Sequence, residues 1–174
     1  GRWREPLTAL ETQVLTDAPL KRAFGSTFDG ADPSEMRELV MNEYSVVACA
    51  AAAGVETDAS EFFARDEYNA AWSVSNLRHY LQYSASTLSM APVDMAADLL
   101  RELIDTTGDN GNCHVRLRFG HAETLMPLLA MMHIPGCYYM TNYFDTVAMH
   151  WRDFNIVPMA ANLQLILLKH KQNG

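Results

Sequence analysis

Apolar residues recur at helical spacing through the first two-thirds of the chain. Glu5 to Thr16 predicts a first helix, with Pro6 early enough that its missing N–H costs nothing. Asp32-Pro33 opens the next. Asp32 can cap, Pro33 suits the first helical position, and Glu35 adds a first-turn carboxylate. The apolar positions Met36, Leu39, Val40, Tyr44, Val47 and Ala50 carry this helix towards Gly54, which suits its end. A third helix begins near Asp58 or Ser60 and presents Phe62, Phe63, Tyr68, Trp72, Leu77, Tyr80 and Leu81 as one stripe. Tyr83 to Ala91, rich in serine and small residues, reads as a loop. Pro92 then starts a fourth helix through Met95, Leu99, Leu100, Leu103 and Ile104, and Thr107 to Asn112 is a loop.

The period then changes. From Cys113 to Phe119, Val115, Leu117 and Phe119 alternate with Arg116 and Arg118, which predicts a strand. Gly120 breaks it. His121 to Met132 predicts a helix with Leu125, Leu128, Leu129 and Met132 on one face and Pro127 in its first two turns. Asn155 to Met159 and Asn162 to Leu168 read as two short strands around Pro158. The expected class is therefore α/β, mostly helical. A helical portion spans 1–91, and 92–174 holds part of a sheet domain whose visible strands are too few to stand alone.

Composition narrows the function. A chain of 174 residues with 49% hydrophobic content buries an ordinary core. Its net charge of −8 argues against broad nucleic-acid binding, though a locally basic pocket could still take a small anion. No stretch reaches the roughly 18 apolar residues of a membrane span. Cys49, Cys113 and Cys137 show no metal-binding spacing and read as small buried hydrophobes, with one disulfide available in an oxidising compartment. Gly1-Arg2-Trp3-Arg4 is no signal peptide, and Asn173-Gly174 is a turn signal with no second strand after it. Both features suggest a piece of a longer, processed protein.

The candidate chemistry lies at the strand-to-helix junction. Ligands of open α/β sheets bind beyond the carboxyl ends of strands, and a helix beginning there aims N–H groups and a positive dipole end at the same space. His121 would sit in that space as a phosphate ligand, and Glu123 in the first helical turn would be a general acid. Arg118, Ala122 and Thr124 flank it as substrate-binding candidates. The blander reading is a plain helix start, with His121 capping and Glu123 complementing the dipole.

Two chemistries use His-x-Glu. Zinc deaminases follow it with Pro-Cys-x-x-Cys, whereas Pro135-Gly136-Cys137-Tyr138-Tyr139-Met140 offers one cysteine where two are needed. The second is the histidine acid phosphatase superfamily. Arg118-Phe119-Gly120-His121-Ala122-Glu123-Thr124-Leu125-Met126-Pro127-Leu128-Leu129 resembles the distal motif of its multiple inositol polyphosphate phosphatase branch at twelve positions. Ile156-Val157-Pro158-Met159-Ala160-Ala161-Asn162-Leu163 resembles that family's next core strand. Asn76-Leu77-Arg78-His79-Tyr80-Leu81 resembles the helix returning from its α-domain.

The resemblance implies part of a phosphoglycerate-mutase-like α/β/α domain and a phosphohistidine intermediate. His121 would contact phosphate, and Glu123 would protonate the leaving alcohol of an inositol polyphosphate such as phytate. It also implies a periplasmic or secreted location. Cofactors and metals are not expected, and the partner is a phosphorylated small molecule, together with the remainder of the same enzyme. The family's nucleophile lies in Arg-His-Gly-x-Arg, which this sequence lacks. Its only Arg-His pair, Arg78-His79, precedes Tyr80 within a predicted helix and reads as surface or domain-boundary residues. The chain alone is therefore expected to be inactive.

Other groups are weaker candidates. Met126, Met131 and Met132 read as core. Tyr138, Tyr139, Tyr143, Phe144 and Trp151 read as core or as the mouth of a substrate site. Arg116 is either a further phosphate contact or a strand-edge charge. A non-catalytic helical module that binds an anion or a partner is the alternative to the enzyme reading.

Overall fold

Backbone hydrogen bonding in the computed structural model, over its described residues 2–107 and 115–168, is almost wholly helical. The chain divides into two units. The first comprises Gly1–Arg78 and Tyr143–Ala148, the second His79–Asn142 and Met149–Gly174.

In the first unit, α1 (Arg4–Val14) buries Leu7 and Leu10. It is followed by α2 (Ala18–Phe24), a short helix not expected from the sequence, with Pro19 in its first turn. Helix α3 (Pro33–Ala50) starts as the sequence predicts: Asp32 accepts a hydrogen bond from the Ser34 N–H at 2.8 Å and one from its hydroxyl at 2.5 Å. These bonds hold the Asp32 carboxyl below its ordinary range. After a 3₁₀ turn at Ala51–Ala53, Gly54 ends the helix with a φ of 73°, where a side chain would be strained. Asp58 caps a second 3₁₀ turn, Ala59–Glu61, so the third predicted helix begins later, as α4 (Arg65–Tyr83). Phe63, Ala71, Val74 and Leu77 are buried with Val40 and Leu20, giving this unit its core.

Helix α4 passes from the first unit to the second at Arg78 and His79. The predicted loop after it is no solvated linker, because Ser84, Ala85 and Ser86 are buried and Ser86 forms an antiparallel bridge with Ser89. The fourth predicted helix is split into α5 (Ala91–Asp94) and α6 (Ala97–Thr107). Helix α7 (Ala122–Met131) packs on α5 and α6 and buries Met126, Pro127, Leu128, Leu129 and Ala130. Two short helices follow the 3₁₀ turn Phe144–Thr146: α8 (Val147–His150) and α9 (Asp153–Ile156).

The predicted strands are not formed among the described residues. Residues 113 and 114 lie outside them, as does most of the predicted 107–112 loop. Residues 115–120 are not in a strand, with Val115 and Leu117 both 72% exposed and Phe119 93%. Asn155 and Ile156 are helical, and 162–168 is irregular and exposed. A strand's hydrogen bonds must come from a neighbouring strand, whereas a helix satisfies its own, and no described segment forms a β-ladder with either stretch. The helical part of the expected class is thus the part observed.

Candidate functional site

The site is built on α6. Its residues Glu102 and Thr106 are four apart and share one face, about 6 Å from one another along the axis. Arg116 and Arg118 are two apart in the irregular segment before α7, and an extended course there would space them about 6.6 Å on one side. The periods match, and both contacts form. Arg118 Nη2 donates to Glu102 Oε1, and Arg116 Nη1 donates to Thr106 Oγ1 at 2.8 Å. The segment therefore runs antiparallel to α6, anchored by its polar side, while Val115, Leu117 and Phe119 remain exposed.

Gly120 needs no left-handed backbone, and a Cβ there would meet Thr124 Oγ1 at an ordinary 3.6 Å. His121 is extended, at φ −105° and ψ 167°, and forms the N-cap of α7 without a side-chain cap bond. Its carbonyl accepts from the N–H of Thr124 at 3.0 Å and of Leu125 at 3.4 Å. The N–H groups of Ala122 and Glu123 have no acceptor on the described backbone, as expected at a helix start. The imidazole of His121, the carboxyl of Glu123 and the side chain of Thr124 are all exposed, and Ala122 is exposed with them. Rigidity comes from the other end of the helix, where five consecutive residues are buried.

Arg118, His121 and Glu123 are therefore placed along one extended-to-helical corner, but no hydrogen bond joins them. Arg118 is committed to Glu102, and His121 and Glu123 point free donors and acceptors into solvent. Such a corner can receive an anion on backbone N–H groups and the helix dipole.

Other groups were not visible from sequence spacing. His79 Nδ1 lies 2.7 Å from Asp153 Oδ2, which joins α4 to α9 within the second unit across 74 residues of sequence. Nearby, the Tyr80 hydroxyl donates to the Tyr139 carbonyl at 2.9 Å, and Trp151 Nε1 donates to the Cys137 carbonyl at 3.2 Å. Burial pushes the Tyr80 phenol up to about 12, so its proton stays on as the donor of that bond. Trp151, 1% exposed, is thus core, while Tyr143 is exposed and Tyr138 and Tyr139 are half-buried. Cys137 is buried, with its thiol pushed up by burial, but Cys49 is exposed, contrary to the expectation of a buried hydrophobe. Cys113 lies outside the described residues. Among the described residues no three His, Cys, Asp or Glu side chains converge as metal ligands, and no helix is long and apolar enough to cross a membrane.

A scan against protein-family models and a search of the curated proteins both return no match to this chain.

Proposed function

We propose that the chain is part of a histidine-type phosphatase hydrolysing phosphate monoesters of inositol polyphosphates. The observation that carries this reading is the twelve-residue run Arg118 to Leu129, which resembles the distal motif of that family and here leads through an extended His121 into a helix. His121 binds phosphate and Glu123 protonates the leaving alcohol. Arg118 and the N-terminal turn at Ala122 and Thr124 contribute to anion binding. The stretches 115–120 and 162–168, irregular here, belong on this reading to an α/β/α sheet. The sequence has no Arg-His-Gly, so no residue here is assigned as the phosphoryl acceptor. The family's export to a periplasm or the cell exterior is part of the same proposal.

The test is release of phosphate from inositol hexakisphosphate at acidic pH. This chain alone should release none, while a chain that also carries an Arg-His-Gly segment should turn over. In that longer chain Glu123→Gln should slow turnover about 100-fold, the lower range for losing a general acid. A dead longer chain, or an unchanged rate in the Gln variant, removes the assignment. The open exposure of His121, Ala122, Glu123 and Thr124 favours a second reading, a helical module that binds an anion or a partner without turnover. That reading predicts phosphate binding with no hydrolysis in either chain.

A further inference from the structure

We propose that Glu102 controls the anion affinity of the α7 N-terminus by competing with the ligand for the guanidinium of Arg118. The inference rests on the phosphate-binding reading of Arg118 and His121 given above.

Four observations support it. Among the described residues Glu102 is the carboxylate bonded to Arg118, and it reaches the guanidinium from α6, the same helix that anchors the neighbouring Arg116 through Thr106. The pair is accessible, with side chains 29% exposed for Arg118 and 59% for Glu102, so a soluble anion can reach the guanidinium. Arg118 bonds through Nη2 alone, although a guanidinium carries five donors in a planar fork. The extended segment is also tied to α6 by the Arg116–Thr106 bond at 2.8 Å, so Arg118 can leave Glu102 without the segment losing its place.

Carboxylate and phosphate oxygens ask for the same donors in the same bidentate geometry. A fixed carboxylate beside the site therefore has two effects. It occupies Arg118 in the free state, and it repels any anion that arrives. A ligand that takes the guanidinium has to offer more charge than Glu102 does, which favours the dianion of a phosphate monoester over a monoanion such as a free carboxylate. Glu102 is on this account a specificity-determining residue that acts through Arg118.

The experiment is a titration of the full chain with inorganic phosphate at pH 7.5, followed by the NMR signals of the His121 imidazole. Those signals are identified by their loss in His121→Gln. Glu102→Gln should tighten phosphate binding about 5-fold, the effect of removing one nearby charge under substantial solvent screening. In an Arg118→Gln background the same substitution should change nothing, and Thr106→Val should leave the Glu102→Gln effect in place. Helix content by circular dichroism should match wild type, and Glu102→Ser serves as a second variant should the Gln protein fold poorly. If Glu102→Gln leaves affinity unchanged or weakens it while Arg118→Gln still weakens binding measurably, the competition is overturned and the phosphate site stands. Tightening that persists without Arg118 also overturns it, because the carboxylate would then act only through its field. If phosphate moves no His121 signal in any of the proteins, the phosphate-site reading itself falls and takes this inference with it.

Discussion

Glu43 on α3 is buried, and neither oxygen of its carboxyl has a hydrogen-bond partner. Burial raises its pKa first, Arg22 from α2 pulls it down, and Glu67 from α4 pushes it up again. The net direction is upward. Arg22 is not available as a direct partner, since it holds Glu67 at 2.7 Å and the Phe62 carbonyl at 2.7 Å. The sign follows from linkage. A carboxyl whose folded pKa lies above its unfolded one favours the fold while protonated. That contribution is present below the unfolded value and is lost as pH rises through the folded one. Glu43→Met should therefore stabilise the chain at pH 7 by about 1 kcal/mol, the usual scale for an unsatisfied buried group. The gain should shrink towards pH 4. Thermal unfolding at the two pH values measures it, and a gain that is equal at both would show that charge is not the cause. His133 poses the opposite case. It takes a left-handed φ of 51° at the end of α7, where its N–H and that of Ile134 return to the Ala130 and Leu129 carbonyls. Its ring stacks on Tyr138 at 4.0 Å between centroids. His133→Gly should relieve about 1 kcal/mol of backbone strain and lose a similar stacking contribution. The change should thus be near neutral alone and stabilising in a Tyr138→Ala background, read by urea denaturation.

At the scale of elements, the sequence was legible where a helix could be started and stopped by its own residues. Asp32-Pro33 and Gly54 bound α3 within a few residues of expectation because the cap and the left-handed end are local. The His121 corner was legible for the same reason, as an extended residue followed by a helix start. The strands at 113–119 and 162–168 were not, because alternation announces a face and not a partner. The partner of Arg118 was also hidden, since Glu102 becomes its neighbour only through the match of two periods on different elements. So was the bond from His79 to Asp153, although the reading of Arg78-His79 as surface or domain-boundary residues agrees with the division between the two units at that pair. This bond ties α4 to α9 in the second unit, and α9 is only four residues long, too short to be stable by its own backbone bonds. His79→Ala should lower stability by about 1 kcal/mol, and Asp153→Asn should do the same. If the double variant is no worse than either single one, the coupling is confirmed; strictly additive losses would count against it. Gly120→Ala is the matching control on α7. Its Cβ finds ordinary contacts with Thr124, so stability should stay within about 0.5 kcal/mol of wild type.

Over the described residues, the helices close their cores and leave two irregular apolar stretches uncovered. Phe119 is 93% exposed, and Ile166, Leu167 and Leu168 are 74%, 74% and 84% exposed. Soluble proteins seldom leave runs of this kind open, because apolar surface and unpaired backbone groups together favour pairing with another chain. The segment Leu163-Gln164-Leu165-Ile166-Leu167-Leu168 has no charge and no proline, the composition that promotes self-association of extended segments. The stretch 115–119 is better protected, since Arg116 and Arg118 fix its polar side to α6. The two should therefore differ in their contribution to association. Leu165→Lys combined with Leu167→Gln should markedly lower light scattering of concentrated solutions at 37 °C, and Phe119→Ser should lower it less. Neither change removes a buried contact, so unfolding midpoints should stay within about 0.5 kcal/mol of wild type. Undiminished scattering in the first variant would place the adhesive surface elsewhere. A large loss of stability in either would mean that these side chains are packed in solution, against a partner that the isolated chain supplies from a second copy of itself.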